Sequence, residues 1–97
     1  MFGLNENESK LITNITNDIL KSADAKNISE IYMSSYCIKG GKLLNVVNLF
    51  VVVNEDFQKI DLYDIINDIE DREYNFSLSI SVEPEMEKGS GIILFKK

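Results

Sequence analysis

Ile31-Tyr32-Met33-Ser34-Ser35-Tyr36-Cys37-Ile38-Lys39-Gly40, with Val46-Val47-Asn48-Leu49-Phe50-Val51-Val52-Val53 close behind it, is the stretch that decides the fold. The first segment is apolar enough for a strand from Ile31 to Ile38, and Gly40-Gly41 is a turn signal after it. The second segment is the most hydrophobic run of the chain. β-Branched residues at both parities predict a central strand covered on each face, with Asn48 its one polar break. Together the two segments read strand, tight turn, strand.

On the N-terminal side, Asn5 is a helix-capping residue and Glu8 stands where a capping box places its acid. Leu11, Ile12, Ile15 and Ile19 then recur at helical spacing, which predicts an amphipathic helix from Glu6 to Lys21. On the C-terminal side, Asp61 is suited to cap a second helix, with Ile60 and Ile65 in staple positions. Leu62, Ile65, Ile66 and Ile69 form its apolar stripe, and its end is expected near Arg72 or Glu73. Phe76, Leu78, Ile80 and Val82 alternate with Ser77, Ser79 and Ser81, the pattern of a strand with one dry and one serine-lined face. Pro84 and Gly89-Ser90-Gly91 mark a loop, and Ile92 to Phe95 reads as a short last strand.

The expected architecture is one α+β domain over residues 1–97. A mixed or antiparallel sheet of about four strands carries two helices on one face, in the order αββαββ. Its core should hold Ile15, Ile19, Ile31, Met33, Leu49, Val51, Val53, Ile65, Ile69, Phe76, Leu78 and Ile80.

A net charge of −6 makes the surface repel free nucleic acid and anionic membrane on average, while basic proteins are attracted. The single cysteine, Cys37, permits no internal disulfide and is expected as a small buried residue in a reducing compartment. Met1-Phe2-Gly3-Leu4-Asn5-Glu6 lacks the basic and apolar regions of a secretory signal, and no run approaches transmembrane length. A cytoplasmic protein is expected.

The chain as a whole resembles a minimal nucleotidyltransferase domain of the DNA polymerase β-like superfamily. Phe2-Gly3-Leu4 before an acidic helix, the strand Ile31 to Gly40, the central strand and the closing Glu87-Lys88-Gly89-Ser90-Gly91-Ile92-Ile93-Leu94-Phe95 follow in family order. The family ends its first strand in G-S-x-A-x-G and opens its second with D-x-D. The resemblance implies a nucleotide site at Ser35, Tyr36, Gly40, Val46 and Asn48, but a degenerate one. The turn glycine falls on Ser35, the phosphate-binding serine on Tyr36 and the alanine on Ile38; only Gly40 keeps its type. With a one-residue shift allowed, the two acids fall on Val46 and Asn48, and the third falls among Ser77, Ser79 and Ser81. Magnesium needs charged oxygens, so the resemblance implies a relative without catalysis, metal or cofactor.

The remaining chemistry is sparse. There is no histidine, so the commonest general base and metal ligand is missing. Lys39-Gly40-Gly41-Lys42 fits a solvated hairpin turn better than a phosphate cradle, because a strand and not a helix follows. Asp61, Asp64, Asp68 and Asp71 fall at i, i+3, i+7 and i+10, opposite the apolar stripe of the second helix, with Glu70 and Glu73 beside them. Like charges at this spacing cost about 0.2–0.5 kcal/mol per pair.

Two functions follow as expectations. The first is non-catalytic binding of a basic or nucleic-acid-binding protein, with Asp61, Asp64, Asp68, Asp71 and Glu70 as the contact. Such a row imitates a phosphate backbone, and the chain resembles in type the small acidic inhibitors of host defence, anti-CRISPR proteins among them. The second is the nucleotide- and magnesium-binding member of a toxin–antitoxin pair. No direct contact with nucleic acid or membrane is expected, and the exposed strand edges leave a homodimer open.

Overall fold

The computed structural model describes residues 3–21, 25–34, 36–54, 60–87 and 89–97, with side chains at all of these but 60, 61 and 87. The fold is α+β. Its helices are α1 (Glu6–Leu20) and α2 (Ile60–Glu70), and its strands are β1 (Ile28–Ser34), β2 (Cys37–Lys39), β3 (Lys42–Leu44), β4 (Val46–Val53), β5 (Ser77–Pro84) and β6 (Ile92–Lys96). The main sheet runs β5-β4-β1-β6 and is mixed: β1 is antiparallel to β4 and β6, and β4 is parallel to β5. β2 and β3 form a separate two-stranded sheet.

Both helices bury their stripes against one face of the main sheet. Ile12, Ile15 and Ile19 of α1 and Leu62, Ile66 and Ile69 of α2 share a cluster with Ile31, Met33, Leu49, Val51, Val53 and Ile80. Burial of such side chains is worth about 1.5–3 kcal/mol each, so this shared layer supplies most of the driving force for folding. Ile65 and Leu78 differ from expectation in being only partly buried. Ile66 is the buried neighbour of Ile65 on α2, and Leu78 lies on the edge strand β5.

The stretch after Ile31 departs from a single strand to Ile38. β1 stops at Ser34, and the chain leaves the main sheet to form the β2–β3 hairpin. The cause is packing: Ile38 pairs with Leu43, and Leu43 is fully buried in the core beside α1. Cys37 alternates away from that contact and is exposed, so the expectation of a buried thiol is corrected. Gly40 and Gly41 have φ of 59° and 78° between the paired Lys39 and Lys42, the two left-handed positions of a type I′ turn.

The hairpin is fastened to the start of α1. Asn5 Oδ1 accepts from the Glu8 N–H at 2.9 Å, so the cap forms as its position predicts. The reciprocal half of the capping box does not form. The Asn5 N–H donates to the Gly41 carbonyl at 2.8 Å, and Glu8 Oε2 accepts from the Leu43 N–H at 3.1 Å. Glu8 is buried because it satisfies a strand amide and not its own helix end. Asp61 stands within α2 and so is not its cap; the helix ends at Glu70, before Arg72.

The second face of the main sheet carries Glu30, Tyr32 and Ser34 of β1, Val46, Asn48, Phe50 and Val52 of β4, and Ser77, Ser79, Ser81 and Glu83 of β5. Coverage here is uneven. Val52 is fully buried, Phe50 half-buried and Val46 49% exposed, so the central strand is enclosed on both sides only toward its C-terminal end. Tyr32 stacks on Phe50 with ring centroids 5.0 Å apart. The Tyr32 hydroxyl donates to the Glu83 carboxylate and accepts from the Gly89 N–H at 2.8 Å. The segment between β5 and β6 is thereby held over Tyr32 on its way from one sheet edge to the other.

Candidate interaction surfaces

Three surfaces contain the residues singled out by sequence. The first is the open end of the second sheet face. Register pairs Ser34 with Asn48 and Asn48 with Ser79, so these three stand in one row across β1, β4 and β5. Val46 and Ser77 pair one step further along. The positions that the nucleotidyltransferase resemblance gives to acids are thus neighbours, and they bear an amide, hydroxyls and an exposed valine. Gly40 does not join them. Its turn is held by α1 on the helix-covered side of the sheet, while Asn48 looks out from the other. Tyr36 is 39% exposed just beyond β1, and Ser35 lies outside the described residues. Among the described residues no three His, Cys, Asp or Glu side chains come together as a metal site.

The second surface is acidic and lies where the two helices end. Arg72, just past α2, donates to Asp18 in the last turn of α1 at 2.7 Å and to Asp68 in the last turn of α2 at 3.2 Å. One guanidinium therefore joins the C-terminal turns of both helices, and its own pKa is raised chiefly by the Asp18 bond and then by the Asp68 bond. Helix C-termini carry partial negative charge and favour cations. Neither helix has a basic residue in its last turn. Lys21, the cap residue of α1, sits 3.8 Å from Asp18. Asp64 and Asp71 are exposed, and among the described residues no ion pair engages them.

The acidic row is accordingly split by the structure. Asp64, Asp68 and Asp71 face solvent, as the spacing predicts. Glu70 leaves the row: it is half-buried, and its Oε2 accepts from the Ile80 N–H of β5 at 2.8 Å. The Asp61 side chain lies outside the described part. Arg72, which the sequence places beside the row as an offsetting cation, belongs here, and so does Asp18, which its spacing does not single out. Arg72 joins the acids of both helices, and Asp18 comes from the other helix; only its position near the end of α1 could have signalled it. Tyr74 closes the corner, its hydroxyl donating to the Ile69 carbonyl at 2.7 Å. Burial raises the Tyr74 pKa first; Arg72 opposes the rise, and Asp18 and Asp68 add to it.

The third feature is a cavity of about 170 Å³ beneath the crossing segment, lined by Glu30, Tyr32, Gly89, Ser90, Gly91 and Ile93 among others. It is smaller than the usual range for small-molecule sites, about 300–1,000 Å³. Among the described residues no helix is long and apolar enough to cross a membrane. Comparison with family models, with curated proteins and with solved structures finds no match to this chain.

Proposed function

We propose that this chain is a cytoplasmic binding protein that acts by contact, without catalysis, on a basic partner, and that the acidic end of the two helices is the contact. The supporting observation is the accumulation of Asp18, Asp68 and Asp71 where helix dipoles already disfavour negative charge, with Arg72 and Lys21 the cations beside Asp18 and Asp68; Asp64, one turn back along α2, has no ion-pair partner among the described residues. An unfavourable local choice without a packing gain is expected where function selects it. Carboxylates displayed on one helix steer association with a positively charged surface. The partner class is a protein whose basic surface ordinarily takes nucleic acid, which the chain occupies as an inhibitor would.

The test is capture from native lysate by the wild type and by an Asp64→Lys/Asp71→Lys variant, at low and high salt. These two acids make no ion pair among the described residues, so the variant is expected to stay folded. The expected result is a basic, nucleic-acid-binding protein that salt releases and that the variant fails to retain. Retention of the same protein by the variant would remove the acidic face from the function.

The row Ser34–Asn48–Ser79 supports a second proposal, in which the chain is a nucleotidyltransferase relative that still binds nucleotide. Calorimetry with ATP and magnesium separates the two. No heat is expected under the first proposal. A micromolar signal that disappears in Asn48→Ala would transfer the function to the sheet face.

A further inference from the structure

β5 is an edge strand, and among the described residues a single side chain bonds its outer side. The Ile80 N–H points away from β4 and donates to Glu70 Oε2 at 2.8 Å, whereas the Ser77 N–H points inward and donates to the Asn45 carbonyl at 2.7 Å. Backbone groups alternate sides along a strand, so Leu78 and Val82 also present theirs outward. Among the described residues, nothing bonds the outward N–H of either. Natural edges are blunted by lysine, bulges or proline. From Ser77 to Val82 this edge has none of these, and no charge. Pro84 protects only its last position.

We infer that the β5 edge docks a second copy of this chain, antiparallel and centred on Ile80, and that the Glu70 carboxylate is the latch that keeps the edge closed in the monomer. The occupant follows from the strand's own pattern. Reversed about Ile80, the run Leu78-Ser79-Ile80-Ser81-Val82 places apolar residues against apolar residues and serines against serines. Leu78 meets the partner's Val82, Ile80 meets the partner's Ile80, and Ser79 meets the partner's Ser81. Leu78, Ile80 and Val82 each gain a donor and an acceptor across the axis. A chain of net charge −6 resists its own copy over most of its surface. From Ser77 to Val82 the strand itself adds no charge to that resistance. The latch and the docking strand compete for one N–H group, so dimer formation requires Glu70 to let go.

Sedimentation equilibrium on the wild type, Glu70→Ala and Glu70→Gln tests this, with circular dichroism to confirm folding. Freeing the edge exposes an N–H that a charged acceptor had satisfied, so self-association should tighten roughly tenfold or more in Glu70→Ala. Glu70→Gln, of the same shape, should move in the same direction by less. Adding Val82→Pro, which deletes one outward N–H and is compatible with an edge strand, should return the protein to monomer. Register is read separately in a Cys37→Ser background. Opposed residues at non-hydrogen-bonded positions have Cα atoms about 4.5 Å apart, within disulfide reach, and diagonal ones about 7–8 Å. A mixture of Ser79→Cys and Ser81→Cys chains should therefore cross-link, and either chain alone should not. The proposal is overturned if folded Glu70→Ala and Glu70→Gln associate no more than the wild type, if Val82→Pro leaves the dimer intact, or if like cysteines cross-link as readily as the mixture.

Discussion

Replacing Glu8 with alanine should destabilise this protein more than any other single change to an acidic residue of α1. The Glu8 side chain crosses from the first turn of α1 to the β2–β3 hairpin and accepts the Leu43 N–H at 3.1 Å. Both ends of this bond are dry: Glu8 is 8% exposed, and Leu43 is fully buried. A bond to an ionised acceptor contributes about 1.5–3 kcal/mol, and a buried N–H left without an acceptor costs about 1–3 kcal/mol. The two figures describe overlapping losses and do not add, so about 2–3 kcal/mol is expected for Glu8→Ala. In a domain of 97 residues each kcal/mol lowers Tm by about 4–8 °C, which gives a fall of about 10–20 °C. Glu8→Gln keeps an oxygen acceptor without the charge and should lose about 1 kcal/mol. Glu6→Ala is the control, because Glu6 faces Lys10 at 3.8 Å with 85% of its side chain exposed, and surface pairs of this kind contribute little. Calorimetry supplies Tm, and amide exchange supplies the location: the Leu43 N–H should lose protection before the middle of α1 does. A Tm for Glu8→Ala within about 3 °C of wild type, with Leu43 still protected, would refute the link between helix cap and hairpin.

Gly91→Ala should cost more than about 3 kcal/mol and detach β6. A Cβ there would lie 2.2 Å from the Met33 carbonyl oxygen, a backbone atom of β1 that no rotamer change can move. Gly40→Ala is its counterpart, with open space around the Cβ but a φ of 59°, and should cost about 1–2 kcal/mol in thermal unfolding. The phenol of Tyr32 is held above its ordinary pKa by burial and then by the Glu83 carboxylate. The fold favours the neutral phenol, so this stabilisation is complete below about pH 10 and is lost as pH rises through the raised native value. Ultraviolet titration should show a late-ionising tyrosine component that Tyr32→Phe removes.

What was legible in the sequence was what local spacing controls. The stripes of both helices, the Asn5 cap, the Gly40-Gly41 turn and the serine-lined β5 each depend on residues within a few positions of one another. What was not legible depends on partners far along the chain. β1 ends at Ser34 because Leu43 has a place in the core beside α1, and nothing in Ile31 to Ile38 encodes that place. Glu8 fits a capping box by position, and only the hairpin's arrival 35 residues later diverts its carboxylate. Central hydrophobicity suggested that β4 was covered throughout. The Tyr32–Glu83–Gly89 clasp covers only part of it, and the open remainder contains the row at Asn48.

The acids from Asp64 to Asp71 show how one charge pattern is divided between fold and surface. By spacing alone they are equivalent. In the structure Glu70 holds the β5 edge and Asp68 shares Arg72 with Asp18, so both answer to the architecture. Asp64 and Asp71 answer to nothing within the described fold. A helix end that already bears two engaged carboxylates gains no stability from Asp71, and Asp64, four residues before Asp68 on the same helix, adds like-charge repulsion. Selection for folding would replace them with neutral or basic residues. Their presence is therefore weight on the side of a contact made outside the chain, and it separates two kinds of evidence. Changes at Asp68 or Glu70 perturb stability and edge pairing whether or not a partner exists, while changes at Asp64 and Asp71 should leave melting unchanged and register only in binding. A double reversal there that lowered Tm as much as Glu8→Ala would show that the fold needs these charges, and the case for an external basic partner would lose its physical ground.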